Sequence, residues 1–254
     1  MTFTRTKVLC TVGPSTSNKE TLIEFVNAGM SGARINFSHG TYEQHQHTID
    51  NLKEVRQRLE KPLAILLDTC GPEMRVSSVC GEVMSVVKGQ RVKLVGEERD
   101  GEEAYVAISP KEVLGDIQQG MRILFKDGYI SSRVVEISSQ GIVLEMENDG
   151  EIKARDGVNI PNADLGLPAM TEKDKEDIRF GCKNDVDIIA ASFIRSPEHV
   201  IAIKKLLIEE GKNDILIIAK IENTQGVRNF DSILQVADGI MIARGDLGVE
   251  MPLS

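Results

Sequence analysis

The chain has 254 residues, 41% hydrophobic and 27% charged, with 22 Gly against 8 Pro. That is enough to bury a core without disulfide or metal staples, and it excludes collagenous, disordered and low-complexity classes. A net charge of −9, no Trp and 4% aromatics argue against nucleic acid or an anionic membrane as partner, while leaving room for a local basic pocket that takes a small anion. Cys10, Cys70, Cys80 and Cys182 lack the spacing of a zinc knuckle or a redox pair and read as reduced thiols. The N-terminal stretch has no leader pattern, and no window is apolar over the roughly 18 residues of a membrane span, so a soluble cytoplasmic protein is expected.

Short β-rich runs alternate with helix-length amphipathic stretches in the first seventy residues, the signature of a parallel α/β sheet. A strand at Lys7 to Val12 precedes a helix from about Asn18 to Asn27, ended by Gly29. Ala33 to Phe37, a polar helix from about Thr41 to Glu60, and Leu63 to Leu67 follow, the last broken by Asp68-Thr69-Cys70-Gly71-Pro72. From Gly71 to about Ile160 the period falls to two, in Arg91 to Val95, Tyr105 to Ile108, Arg122 to Phe125, Ser132 to Ile137 and Ile142 to Met146. Gly and Asp-Gly pairs such as Asp100-Gly101, Asp127-Gly128 and Asp149-Gly150 punctuate these runs as hairpin turns do. A small all-β unit is thus inserted into an α/β one.

The α/β alternation resumes at a capping box, Thr171-Glu172-Lys173-Asp174. It predicts a helix to about Lys183, a strand at Asp187 to Phe193, a helix from Pro197 to Glu210, a strand at Ile215 to Ile221, a helix near Val227 to Val236 and a strand at Gly239 to Ala243. Another helix is expected to begin around Glu250 to Ser254. About six βα strands result, where a closed barrel of this kind has eight. The expected domains are residues 1–70 and 161–254 for an incomplete (β/α)8 TIM barrel and 71–160 for an inserted β-barrel lid.

In parallel α/β sheets the working groups collect at the carboxyl ends of the strands. After the successive runs come Asn36, Ser38 and His39, with Arg34 inside its strand; Asp68 and Thr69; Ser192, Phe193 and Arg195; Lys220, Glu222 and Asn223; and Arg244, Gly245, Asp246 and Gly248. Glu222 and Asp246 are hard oxygen ligands suited to Mg2+ or Mn2+. Lys220 and Arg34 offer positive charge to a phosphate or carboxylate. Asn36, Ser38, Asp68 and Thr69 offer oxygens to a second, less demanding cation. Singly, each has a plain structural explanation: a lysine beside a buried strand snorkels, and a Gly-Asp turn caps a helix. Arg34 is harder to set aside, because a charge inside an apolar strand needs partners. His45 and His47 read as residues of a solvated helix face.

The strings KVLCTVGPS, GARINFSHGTYE, LLDTCGPEMR, GVNIP, LPAMTEKDKEDIRFG, DIIAASFIRS, IIAKIENTQGV and MIARGDLGVE, in this order, resemble the N-terminal half of pyruvate kinase over essentially the whole chain. The resemblance implies transfer of the phosphoryl group of phosphoenolpyruvate to ADP, giving pyruvate and ATP in the last step of glycolysis. It implies Mg2+ or Mn2+ on Glu222 and Asp246, and K+ at Asn36, Ser38, Asp68 and Thr69. Lys220 and Arg34 match the phosphoryl-contacting pair. Ser192, Phe193, Ala243, Gly245 and Asp246 fall in the substrate pocket, and His39 and Arg75 fall where nucleotide binds. A homotetramer is implied for the full-length form.

Cys70 and Asp156 stand where the family usually has Lys, which bears on ADP affinity or nucleotide preference; Arg155, Lys153 and Arg75 are near in sequence to compensate. The family continues past residue 254 with further βα units, so this chain is expected to be inactive alone and to leave open strands that pair with another chain. Two other readings are a Mg2+-dependent aldolase or lyase of phosphoenolpyruvate or pyruvate, and a non-catalytic regulatory module derived from the kinase. The inserted β-domain and the Asn-Phe-Ser-His and Asp-Thr pairings speak against the aldolase or lyase.

Overall fold

A computed structural model describes residues 5–98, 104–138 and 141–251. The expected turn at Asp100-Gly101 and the last residues, 252–254, lie outside them. The chain divides into two compact units. The first comprises residues 1–71, 169–220 and 231–241, and the second residues 72–168, 221–230 and 242–254.

The first unit is built on parallel strands. Val8–Thr11 (β1) leads to helix Lys19–Ala28 (α1), strand Met30–Asn36 (β2), helix Tyr42–Leu59 (α2) and strand Ala64–Asp68 (β3). Asn18 accepts from the Thr21 amide at the start of α1, and Gly29, at φ 114°, ends it. Only a residue free of a Cβ adopts that left-handed turn cheaply, and it delivers the chain directly into β2. That immediate turn explains why β2 begins at Met30, three residues before the predicted Ala33. After the inserted segment come helix Glu172–Lys183 (α3), strand Ile188–Ala191 (β13), helix Pro197–Glu209 (α4) and strand Leu216–Ile221 (β14). Thr171 and Asp174 form the reciprocal capping box that the sequence announced.

Two short helices, Thr224–Arg228 (α5) and Phe230–Val236 (α6), replace the single helix expected near Val227 to Val236. The break falls at Asn229, whose N–H closes α5 on the Gln225 and Val227 carbonyls. Strand Gly239–Ile242 (β15) and helix Arg244–Glu250 (α7) complete the order. The final helix therefore starts six residues before Glu250, where the sequence placed it.

The sheet order is β1-β2-β3-β13-β14-β15. Its register aligns Thr11 with Arg34, Asn36 with Asp68, and Asp68 with Ala190. Two successive rows on the same side of the pleat, Thr11 with Arg34 and Asn36 with Asp68, thus carry the polar residues near the strand ends. β3 is buried from Ile65 to Asp68, as a strand covered on both faces should be, whereas Val8 and Leu9 on edge strand β1 are exposed. No helix among the described residues is long and apolar enough to cross a membrane. All four cysteines are free, and burial pushes the Cys182 thiol up to about 11.

The second unit contains a closed barrel whose strands run in the order β10-β6-β7-β4-β12-β8-β9. These are Met74–Val79 (β4), Arg91–Val95 (β6), Tyr105–Ser109 (β7), Arg122–Phe125 (β8), Ile130–Ser138 (β9), Gly141–Met146 (β10) and Gly157–Asn159 (β12). Val83–Val86 (β5) pairs with Gly150–Lys153 (β11) in a separate ribbon. All pairs in the barrel are antiparallel except β6 with β7. Ile123, Phe125, Leu94, Ile108 and Leu144 fill the interior. Closure leaves the barrel without an open edge. At Asp127-Gly128 the turn has Lys126, Asp127 and Gly128 all at positive φ, the conformation that favours Asp and Gly there.

His45 corrects the expectation of a solvated helix face. It is buried, stacked on the Phe37 ring at 4.0 Å, and only His47 of the two is exposed. The α2 face that carries Ile49 and Leu52 also carries His45, one turn earlier. Burial lowers the His45 pKa, with nearby Asp177 opposing and Lys173 reinforcing the shift. The folded state therefore resists a proton that the unfolded chain accepts near 6.5, so stability falls as pH drops below that value. Burial lowers His199 in the same way. Replacing His45 by Phe keeps the stacked ring, and the loss of melting temperature between pH 7 and pH 5 should shrink; an unchanged slope would contradict the assignment.

Candidate active site

Asp68 is the centre of the strand-end cluster in the first unit. Its side chain is 1% exposed. Oδ2 accepts from Arg34 Nε at 2.6 Å and pairs with Arg34 Nη2, and Oδ1 lies 3.0 Å from Lys220 Nζ. Arg34 Nη1 also donates to Thr11 Oγ1 at 3.0 Å. Lys220 Nζ donates to Ser192 Oγ at 2.7 Å, and Ser192 Oγ donates to the Thr69 carbonyl at 2.6 Å. The Ser192 amide in turn donates to Thr69 Oγ1 at 3.1 Å. Arg34 of β2, Lys220 of β14 and Ser192, which follows β13, thus gather around the last residue of β3, with Thr11 of β1 bound to Arg34.

The energetics explain the arrangement. A buried carboxylate alone costs several kcal/mol, and so does a buried ammonium; together with hydrogen bonds they offset each other. The partners that Arg34 required as a charge inside a strand are Asp68 and Thr11. Arg34 and Lys220 bring two cationic side chains to the same carboxylate, chemistry suited to a phosphate or a carboxylate.

Asn36 and Ser38 sit beside this cluster on the turn after β2. Asn36 Oδ1 accepts from the Ser38 amide at 3.0 Å, and the Phe37 amide donates to the Asp68 carbonyl at 3.0 Å. The four expected ligands of a monovalent cation therefore come from two loops tied to each other. Their donor set is all oxygen with a single carboxylate, which fits a large cation of low charge. A cavity of about 390 Å3 opens next to them, lined by Thr11, Pro14, Ile35, Asn36, His39 and His45 among others. His39 is among its lining residues.

Phe193 follows Ser192 with φ at 55°, a conformation that a bulky residue holds only when its surroundings impose it. A Cβ on Gly71 would come within 2.9 Å of both Phe193 Cδ2 and Ser192 Cβ, so this crossing admits only glycine. Arg195, also buried, donates from Nη1 to the Phe193 carbonyl at 3.2 Å.

In the second unit Glu222 is buried at the end of β14, and Asp246 is exposed in the first turn of α7 beside Gly245 and after the N-cap Ala243. Asn223 Nδ2, Thr224 Oγ1 and Gln225 Oε1 follow Glu222 as buried polar atoms lacking a partner among the described residues. A buried carboxylate followed by orphaned polar atoms suits a hydrated divalent ion, whose water shell would satisfy them. Among the described residues no group of three or more His, Cys, Asp and Glu that could hold a metal ion forms.

Arg75, expected at the nucleotide, lies on β4 with its guanidinium paired to Glu73 and donating to the Arg155 carbonyl at 3.0 Å. Asp156 is buried and structural. Its Oδ2 accepts from the Lys153 amide at 3.0 Å and fixes the turn between β11 and β12.

The family model "Pyruvate kinase, barrel domain" matches residues 3–254. The chain belongs to the pyruvate kinase family. It is 45% identical over 250 residues to a pyruvate kinase of Clostridium acetobutylicum, covering 98% of this chain and 53% of that one. To a pyruvate kinase of Staphylococcus aureus strain MRSA252 it is 43% identical over 250 residues, covering 98% of this chain and 43% of the relative. The chain thus spans about half the length of the curated pyruvate kinases it matches. Sequence reasoning missed three side chains tied to the strand-end residues: Thr11, which bonds Arg34, and Lys173 with Asp177, of which Lys173 bonds the Phe37 carbonyl. Thr11 ends a strand and was open to the same rule that found Asp68; the other two lie on a helix, where that rule does not look.

Proposed function

We propose that this chain carries most of the phosphoryl-transfer site of a pyruvate kinase, acting on phosphoenolpyruvate and ADP. The observation that carries this reading is the buried convergence of Arg34 and Lys220 on Asp68 at the carboxyl ends of the strands. In the reaction the bond from phosphorus to the enol oxygen breaks and a bond to the terminal phosphate oxygen of ADP forms. Enolpyruvate then takes a proton at its methylene carbon.

Lys220 would hold the phosphoryl group in flight as a point charge, and Arg34 would hold its oxygens as a fork. Both are oriented beforehand by Asp68, so little reorganisation is needed as charge shifts. Ser192 orients the Lys220 ammonium, and Phe193 with Gly71 shapes the pocket wall. Ala243, Gly245 and Asp246 would meet the substrate carboxylate at the start of α7. Glu222 and Asp246 would hold Mg2+ or Mn2+, and Asn36, Ser38, Asp68 and Thr69 would hold K+. When bound, the divalent ion supplies charge neutralisation on phosphate and enolate oxygens. The cavity that His39 lines is suited to a flat ring such as a nucleobase, and Arg75 is proposed separately as a nucleotide-binding residue.

Cytoplasmic glycolytic work and a homotetramer in the full-length form complete the proposal, with residues 1–70 and 161–254 as barrel and 71–160 as lid. The 254-residue chain alone is expected to be inactive, since the parallel sheet of the described residues has six strands where a closed barrel of this kind has eight. A lactate-dehydrogenase-coupled assay tests the reading on the complete polypeptide that carries this chain, with Mg2+ and K+ present. ADP-dependent pyruvate formation is expected; its absence overturns the proposal.

A further inference from the structure

Helix α3 carries two residues that act on the site from outside it. Lys173 Nζ donates to the Phe37 carbonyl at 2.9 Å, in the middle of the Asn36–Ser38 turn. The same ammonium donates at 2.6 Å to Asp177, one helical turn along, whose side chain is 0% exposed. The other oxygen of Asp177 accepts from Tyr42 Oη at 2.8 Å. Tyr42 stacks on Phe180, and the Phe37 ring stacks on His45. Next to Lys173, Asp174 accepts from the Gly71 amide at 2.9 Å while its second oxygen closes the capping box on Thr171. Successive residues in the first turn of α3 therefore grip the loop after β2 and the loop after β3.

Those two loops supply all four oxygens assigned to the monovalent cation. Their spacing decides whether a cation of one radius is met by every donor at once. A turn held only by its own Asn36-to-Ser38 hydrogen bond and the Phe37-to-Asp68 bond has a free carbonyl on its outer side. Lys173 occupies that carbonyl and fixes the peptide plane that Ser38 continues.

We propose that Lys173, held by Asp177, is a positioning residue of the monovalent-cation site, setting the geometry of the Asn36–Ser38 turn against Asp68 and Thr69. This inference rests on the reading of those four residues as a K+ site. It touches neither substrate nor cation.

The test is a melting-temperature titration of the chain with KCl against tetramethylammonium chloride at constant ionic strength, repeated with LiCl. The wild type should be stabilised by K+ in preference to Li+. Lys173→Met should raise the K+ concentration for half-maximal stabilisation by roughly tenfold to a hundredfold and blunt the preference for K+ over Li+. Lys173→Arg, which can still reach the carbonyl and Asp177, should recover most of both. Lys173→Met leaves Asp177 with less charge compensation and so threatens folding, hence the double variant Lys173→Met/Asp177→Asn, which removes that charge and should show the same loss of K+ response. A purely structural role would lower the melting temperature equally in every salt and leave the half-maximal concentration unchanged, which overturns the proposal. If the wild type responds to K+ and Asp68→Asn does not, while Lys173→Met titrates like wild type, the positioning role fails and the cation site stands. If the wild type is not stabilised by K+, the site reading fails and the inference goes with it.

Discussion

Replacing Asp68 by Ala is expected to be among the most damaging single changes in the chain. Asp68 faces two cations, Arg34 and Lys220, and its removal takes from both the carboxylate they share. Breaking a buried pair in this way costs roughly 3–5 kcal/mol. Lys220 carries more of that cost than Arg34, since the Lys220 side chain is 9% exposed and that of Arg34 27%. The urea midpoint should fall accordingly, and Asp68→Asn, which keeps the shape and one acceptor, should fall less. Turnover in the complete polypeptide should be lost in both, because Asp68 also belongs to the oxygen set proposed for K+. An Asp68→Ala chain as stable as wild type would mean that the two cations have other sufficient partners.

Lys220→Met separates chemistry from folding. Here Asp68 keeps Arg34, and a methionine fills the volume of the lysine stem, so the stability loss should be well below that of Asp68→Ala. The rate should fall by roughly a hundredfold to a thousandfold, the range for removing one group aimed at developing charge. Mn2+ affinity should be little changed, because the proposed ligands are Glu222 and Asp246. Turnover within a few-fold of wild type would refute the role given to Lys220; a large loss of Mn2+ binding would instead place this lysine in the metal site. Together the two variants ask whether the residue that organises the corner and the residue that uses it are different.

Much of the fold was legible because its signals are local. Asn18, Gly29, Thr171 and Gly211 mark helix ends through short-range hydrogen bonds and left-handed turns, and the period change at Gly71 marks the inserted barrel. What sequence reading missed depends on pairing. Val83–Val86 and Gly150–Lys153 are four residues each and become strands only against one another. Gly157–Asn159 is shorter still and is fixed between β4 and β8. His45 was misread because its polarity outweighed its position on the face shared with Ile49 and Leu52.

For the site, the rule that strand ends carry chemistry found Arg34, Asp68, Ser192 and Lys220, which do meet. It could not rank them, since the central role of Asp68 arises from the register of β3 between β2 and β13. Arg75 and Asp156 show the opposite limit. Glu73, the Arg155 carbonyl and the Lys153 amide engage them within the second unit, and none of these partners is implied by residue type alone.

The strand order has one more consequence. β2, β3, β13 and β14 each have a neighbour on both sides, whereas β1 and β15 border the sheet. Opening fluctuations in a sheet begin where amides have fewest partners, and cost most toward the middle. Fraying of the borders would release Thr11 and the approach to α7 while leaving Arg34, Asp68 and Lys220 on strands paired on both sides. The pairing of Asp68 with Arg34 and Lys220 thus rests on strands flanked on both sides, and it should outlast the loss of Thr11 when β1 breathes.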